Sequence, residues 1–302
     1  MKYNTLGGLT VPKIVVGCMR IADKPLKQTE DMIVESLKNG VNMFDHADIY
    51  GKGDSERMFG IAVKDLGIKR QDIILQSKCG IRPGFFDFSY DYILESVDGI
   101  LRRLNTEYLD VLLLHRPDAL ADPQEVARAF ANLQSSGKVR AFGVSNFSES
   151  QISLFRSYGI NIAVNQVQFS LAHSYLVDEG LNVNMANGES VSRNGSLLNY
   201  CMSRKITLQT WSPLQYGKIE GTFLDNENFA GLNAELERLS EKYGVTKAAI
   251  AVAWILRHPA NMQVVTGTTT PARIAELCKA ADIVLSREEW YALYRSTGKK
   301  LP

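Results

Sequence analysis

The chain has 302 residues, 34 basic against 33 acidic side chains, and a hydrophobic share of 45%. Near-zero net charge leaves no global field to attract nucleic acid or anionic lipid, and the hydrophobic share is too high for a disordered chain. The length suits either two domains or one α/β barrel, which typically runs to roughly 250 residues.

The first residues, MKYNTLGGLTVPKIVVG, contain no apolar stretch of signal-peptide length, and no later segment approaches a membrane span. The four cysteines, Cys18, Cys79, Cys201 and Cys278, are scattered without metal-binding spacing. Reduced thiols in a cytoplasmic protein are the expectation, with no nucleic-acid or membrane partner and a monomer as the default.

Residues 2–12 alternate in polarity around Gly7-Gly8 and predict a small hairpin. Eight short apolar runs follow, at 13–17, 41–45, 73–77, 110–114, 140–144, 163–167, 206–210 and 262–266. Continuous apolar runs of this kind suit parallel strands buried on both faces. Helical signals fill the intervals. Asp122-Pro123-Gln124-Glu125 places a cap, a proline and an acid at a helix start, and Gly137 marks its stop. Ser148-x-x-Gln151 and Ser286-x-x-Glu289 read as capping boxes, and Ile93, Val97, Leu101 and Leu104 mark one helical face. With no linker anywhere, the pattern predicts an α/β (β/α)₈ TIM barrel with an N-terminal β-hairpin, residues 1–302 forming a single domain. A doubly wound sheet is the rival, but Gly-Cys-Met-Arg, not G-x-G-x-x-G, follows the first run. A long polar stretch at 172–198 is expected to be a βα loop on the face where barrels build active sites.

Strand-end polar residues point into that shared mouth. Asp45 ends the second run, Lys78 and His115 directly follow the third and fourth, and Tyr50 follows Asp45 within HADIYGKGDSE. Singly, each has an ordinary structural use; together they bring an acid, a phenol, an amine and an imidazole to one place. That set suits proton transfer to a carbonyl oxygen. A free phenol has a pKa of about 10, a lysine ammonium beside it favours the phenolate, and an aspartate keeps the lysine charged. An imidazole can donate a hydrogen bond to the carbonyl. None of the four forms a carbon–hydrogen bond, which calls for a hydride donor such as a nicotinamide. A barrel metallohydrolase built on Asp45, His46, Asp48 and His115 is the weaker alternative, because Lys78 would set a cation beside the metal.

The chain resembles the aldo-keto reductase superfamily over nearly its whole length. The motifs are N-M-F-D-H-A-D-I-Y-G-x-G-D-S-E (42–56), the strand-end Lys78, L-D-V-L-L-L-H (109–115), G-V-S-N-F (143–147), N-Q-V-Q (165–168) and Q-T-W-S-P-L (209–214). The resemblance implies NADPH-dependent reduction of a small or medium aldehyde or ketone, with no metal. Tyr50 would be the general acid, Asp45 and Lys78 would tune it, and His115 would orient the carbonyl. It also implies that Ser145, Asn146 and Gln166 bind the nicotinamide carboxamide, that Trp211 stacks on its ring, and that Ser212 and Leu214 line the cofactor. Gly267, Thr268 and Arg273 lead into a helix start suited to a phosphate. Many relatives carry a lysine where Gly267 stands, so NADPH is expected on the strength of Arg273, with NADH as the alternative. Phe85, Phe86 and Tyr216 are the candidate substrate contacts. An NADP(H)-binding regulatory partner, similar to potassium-channel β subunits, is the alternative reading of function.

Overall fold

The computed structural model describes residues 1–193, 195–217, 221–299 and 301. An antiparallel hairpin, β1 (Tyr3–Leu6) and β2 (Leu9–Pro12), comes first, as its alternation predicts. The chain then runs β3 (Ile14–Gly17), α1 (Leu26–Lys38), β4 (Met43–Asp45), α2 (Asp54–Asp65) and β5 (Ile74–Cys79). A two-stranded excursion, β6 (Ile81–Arg82) and β7 (Phe85–Phe86), precedes α3 (Tyr90–Leu104) and β8 (Leu109–Leu114). Next come α4 (Pro123–Ser135), β9 (Val139–Ser145), α5 (Glu149–Ser157), β10 (Ile162–Gln168), α6 (Tyr175–Leu181) and α7 (Leu197–Ser203). The last elements are β11 (Thr207–Trp211), α8 (Ala230–Tyr243), α9 (Lys247–Leu256), β12 (Gln263–Thr266), α10 (Pro271–Cys278) and α11 (Arg287–Ser296).

Eight strands close into a parallel barrel in the order β3-β4-β5-β8-β9-β10-β11-β12, with β12 pairing back to β3. Each overlaps one of the eight apolar runs. The helices turn an apolar stripe inward: Ile93, Val97, Ile100, Leu101 and Leu104 of α3 are buried. Both predicted capping boxes form, at Ser148 and Ser286, and Asp122 caps α4 by accepting the Gln124 amide.

A second apolar cluster fills the barrel floor, where Val15, Met43, Val111, Leu113, Ala141 and Val164 meet Leu6 and Val11 of the hairpin. The hairpin therefore plugs the N-terminal end. Gly7 makes this seat possible. Its φ is +54°, and a Cβ there would stand 2.9 Å from the Ala141 Cβ. With the floor sealed, the open end lies where strand C-termini and βα loops meet.

The structure differs from the sequence reading in three connections. The 172–198 stretch is not plain loop: it holds α6 and a 3₁₀ turn at Gly188–Ser190, and α7 begins within its last residues. Asp178 of α6, almost fully buried, accepts hydrogen bonds from Ser174, Tyr294 and Lys299, which explains how so polar a segment packs. Phe85 and Phe86, the candidate substrate contacts after the third run, form β7. Two helices, α8 and α9, follow β11 where one would suffice.

Candidate active site

The loop bearing Tyr50 is fastened on both sides. Asp48 accepts Tyr92 Oη at 3.2 Å and Ser96 Oγ at 3.0 Å. Glu56, at the start of α2, takes Ser77 Oγ at 2.6 Å and Arg103 Nε at 2.7 Å. Between these anchors the chain reverses through Gly51, Lys52 and Gly53, all at positive φ. Gly51 has a second constraint, since a Cβ on it would lie 2.4 Å from the Ala22 Cβ. Much of the HADIYGKGDSE motif is thus scaffolding that aims one phenol.

That phenol meets the strand-end residues as the sequence predicts. Lys78 Nζ, fully buried, donates to Asp45 Oδ2 at 2.7 Å, to the His46 carbonyl at 2.8 Å, and lies 3.2 Å from Tyr50 Oη. The His115 ring stands edge-on to Tyr50 with centroids 5.9 Å apart, and its Nδ1 is buried with no partner among the described residues.

Electrostatics separate the four. Burial works against the Lys78 ammonium, but Asp45 and Tyr50 outweigh it and hold the pKa above its ordinary value. Burial raises the Tyr50 phenol, and Lys78 only partly offsets that rise. This corrects the expectation of a phenol lowered by lysine: desolvation of the phenolate is the larger effect. His115 is depressed well below the usual imidazole range by burial, then by Lys78 and Arg116, and so stays neutral. A neutral imidazole can donate a hydrogen bond without giving up a proton.

A network that the motifs did not reveal lies beneath. Gln76 Nε2 donates to Asp45 Oδ1 at 2.5 Å and to Gln209 Oε1 at 2.9 Å. Gln209 in turn donates to Gln76 and Gln263, and Gln263 donates to the Pro12 carbonyl at 2.6 Å. Gln166, expected to face a nicotinamide, also sends its Nε2 inward, 3.1 Å from both Asp45 Oδ1 and Gln209 Oε1. The signal for Gln76 was its place two residues before Lys78, on the same inward face of β5.

The other expected cofactor residues sit at the open end. Ser145 donates to the Gln166 carbonyl at 3.0 Å, and Asn146, at φ +62°, takes Trp211 Nε1 at 3.1 Å. Ser212 is also left-handed, at φ +51°, and donates to Gln215, while the Leu214 carbonyl accepts from Phe223 and Thr222. Thr268 Oγ1 accepts the Thr270 amide, the Gly267 carbonyl faces Arg20, and Arg273 is exposed in the first turn of α10. These groups suit a dinucleotide in two respects. Thr266 Oγ1 is buried with no partner at the end of β12, and the α10 N-terminus has no side-chain cap on its free amides. The substrate candidates divide: Phe85 and Phe86 are exposed, whereas Tyr216 packs on Phe229 of its own loop at 5.3 Å.

The metallohydrolase alternative finds no ligand cluster among the described residues: His46 packs edge-on against Phe59, 4.6 Å between centroids, and Asp48 turns Oδ2 to Tyr92 and Ser96. No helix among the described residues is long and apolar enough to cross a membrane.

Comparison with known proteins agrees with this geometry. The 6-dehydroglucose reductase of Agrobacterium fabrum is 33% identical over 97% of each chain. A probable voltage-gated potassium channel subunit beta of Arabidopsis thaliana is 28% identical over 94% of this chain and 92% of its own. The crystal structure of a thermostable aldo-keto reductase in complex with the inhibitor epalrestat superposes with a TM-score of 0.80 at 26% identity, covering 98% of this chain and all of the other. The model of the Aldo/keto reductase family matches residues 13–296, and the chain belongs to that family of NAD(P)H-dependent oxidoreductases.

Proposed function

We propose that the chain, acting as one catalytic domain, reduces an aldehyde or ketone to an alcohol with NADPH as the preferred cofactor. The observation that carries this reading is the Lys78 ammonium, buried between the Asp45 carboxylate and the Tyr50 hydroxyl with His115 beside it.

The chemistry that a bound reduced nicotinamide supplies is a hydride for the carbonyl carbon. Asn146, Ser145 and Trp211 would hold the nicotinamide end, with Gln166, Ser212 and Leu214 beside it. Gly267, Thr268 and Arg273 would hold the phosphate end, Arg273 answering the 2′-phosphate that distinguishes NADPH. The protein residues manage the oxygen. His115 donates a hydrogen bond that fixes the carbonyl against Tyr50. Tyr50 Oη then gives its proton to the oxygen as negative charge develops there, becoming a phenolate. Lys78 stabilises that phenolate, and Asp45 keeps Lys78 charged and aimed.

Tyr50→Phe tests the reading. The variant should bind NADPH as the parent does, yet lose about 10²- to 10⁴-fold in NADPH-linked reduction of an aldehyde panel, the usual range for a positioned general acid. Tight NADPH binding by the unaltered protein with no turnover on any carbonyl would instead favour a regulatory role, as in the channel-subunit relatives.

A further inference from the structure

Arg116 follows His115 directly, two residues past the end of β8, the strand that delivers the imidazole to the mouth. Its guanidinium carbon lies 5.7 Å from the centroid of the Trp211 ring, and Trp211 is itself tied to Asn146. Arg116 is half-buried, and among the described residues it has no hydrogen-bond acceptor and no carboxylate within ion-pair distance. Two other half-buried arginines are neutralised, Arg70 by Asp110 at 2.7 Å and Arg103 by Glu56 at 2.7 Å.

Among the described residues the acids around the mouth already hold other partners, although Asp48 Oδ1 itself accepts nothing. Asp45 is matched by Lys78, Asp48 accepts Tyr92 and Ser96, and Asp87 takes Ser89 and Arg82. Asp118 accepts the amides of Phe88 and Leu120. Arg116 is therefore a cation of the site without a counter-charge among the described residues, and its charge is felt at His115 and Tyr50. A partly desolvated guanidinium without an acceptor is costly, whereas a bidentate oxyanion would satisfy both its charge and its fork of donors.

We infer that Arg116 selects carbonyl substrates bearing an anionic oxygen group, a carboxylate or a phosphate, held beside Trp211 while the carbonyl meets Tyr50 and His115. The inference rests on the reductase reading and names the substrate class for it. Arg116 is here a specificity residue. It takes no proton from the reaction and gives none.

Matched pairs of aldehydes test it in the NADPH-loaded enzyme: 4-oxobutanoate against 4-oxobutanamide, and glyceraldehyde 3-phosphate against glyceraldehyde. The unaltered enzyme should favour one anionic member by about tenfold or more in kcat/KM, the scale of one or two charge-assisted hydrogen bonds. The pair that shows the preference identifies the anion as carboxylate or phosphate. In Arg116→Met the ratio within that pair should collapse towards one, chiefly through KM for the anion, and Arg116→Lys should recover part of it. Equal efficiencies within both pairs, or an equal loss on both members in Arg116→Met, would overturn the inference and leave Arg116 as packing for Trp211. Absence of turnover on all four aldehydes would strike at the reductase reading instead. Calorimetric titration of the NADP⁺ complex with succinate, succinamide and inorganic phosphate then decides the anion site separately. Binding of succinate or phosphate that Arg116→Met abolishes upholds it, and no binding of either refutes it.

Discussion

The carboxylate of Asp45 is shared between a charge and an amide: Oδ2 takes Lys78 Nζ at 2.7 Å, while Oδ1 takes Gln76 Nε2 at 2.5 Å. Lys78 and Gln76 lie two residues apart on β5, so one strand face grips both oxygens. The grip continues through Gln209 and Gln263 to the backbone of the N-terminal hairpin. The acid that orients Lys78 is thus held from below by a chain of buried amides.

Gln76→Leu should expose that dependence. It takes from Asp45 Oδ1 one of its two amide donors, leaving Gln166, and from Gln209 its contacts with Gln76, leaving Gln166 and Gln263; each lost hydrogen bond costs about 0.5–1.5 kcal/mol. Thermal denaturation should show a lower Tm, and kcat should fall several-fold as Lys78 loses its fixed aim. A purely structural role would lower Tm alone and leave the pH profile in place; an unchanged alkaline limb together with an unchanged kcat would rule out positioning.

The pH profile should be flat across neutrality. Tyr50 titrates above the ordinary phenol range and Lys78 above the ordinary amine range, both through the balance of burial and their mutual contacts. His115 is pushed far below the ordinary imidazole by burial. Reduction requires the protonated phenol, so kcat/KM should hold from about pH 6 to about pH 9 and decline only at higher pH. Alcohol oxidation requires the phenolate and should rise with alkalinity. A midpoint near 6.5 in reduction would show His115 titrating and contradict its neutral assignment.

His46 should make the fold sensitive to acid. Burial first, then Lys78, lowers its pKa to about 3, and neither ring nitrogen has a partner among the described residues. The unfolded chain protonates this imidazole near 6.5, the folded protein only near 3. Stability is therefore complete above about pH 6.5 and is lost as pH falls towards 3, by a total on the order of 5 kcal/mol. Urea unfolding at several pH values should show a shallower acid slope in His46→Leu than in the parent. Identical slopes would exclude His46 as a source.

Arg273→Ala probes nucleotide choice. The side chain is exposed in the first turn of α10, and Gly267 brings no charge of its own. Removing the guanidinium should cut the kcat/KM ratio of NADPH over NADH by about 10- to 100-fold, the scale of charge-assisted hydrogen bonds to a phosphate. A ratio that does not move would place the 2′-phosphate on other residues.

The contact between Lys299 and Asp178 should secure the insertion after β10. Asp178 is buried and accepts Lys299 on both oxygens, at 2.9 and 2.8 Å. Lys299→Met leaves that carboxylate unpaired and should cost about 3–5 kcal/mol, with faster trypsin cleavage between α6 and α7. Asp178→Asn combined with Lys299→Met should recover much of the loss. A double variant as unstable as the single one would show that packing, not the ion pair, is at stake.

Much of this protein was legible along the chain because the relevant signals are local. Apolar runs specify strands buried on both faces, Ser148 and Ser286 form their caps within four residues, and a strand-end position is enough to send Asp45, Lys78 and His115 to one mouth. Tertiary structure decided what depends on neighbours distant in sequence. The Gln76–Gln209–Gln263 chain links residues 133 and then 54 positions apart, and no motif spacing encodes it. Burial, which only the closed barrel creates, raises Tyr50 where the nearby lysine alone suggested lowering, and it silences His46. Arg116 reads in sequence as one more basic residue in a chain of balanced charge. The fold makes it distinctive by pairing the acids around it with other partners, because whether a charge is compensated depends on distances that sequence order does not contain.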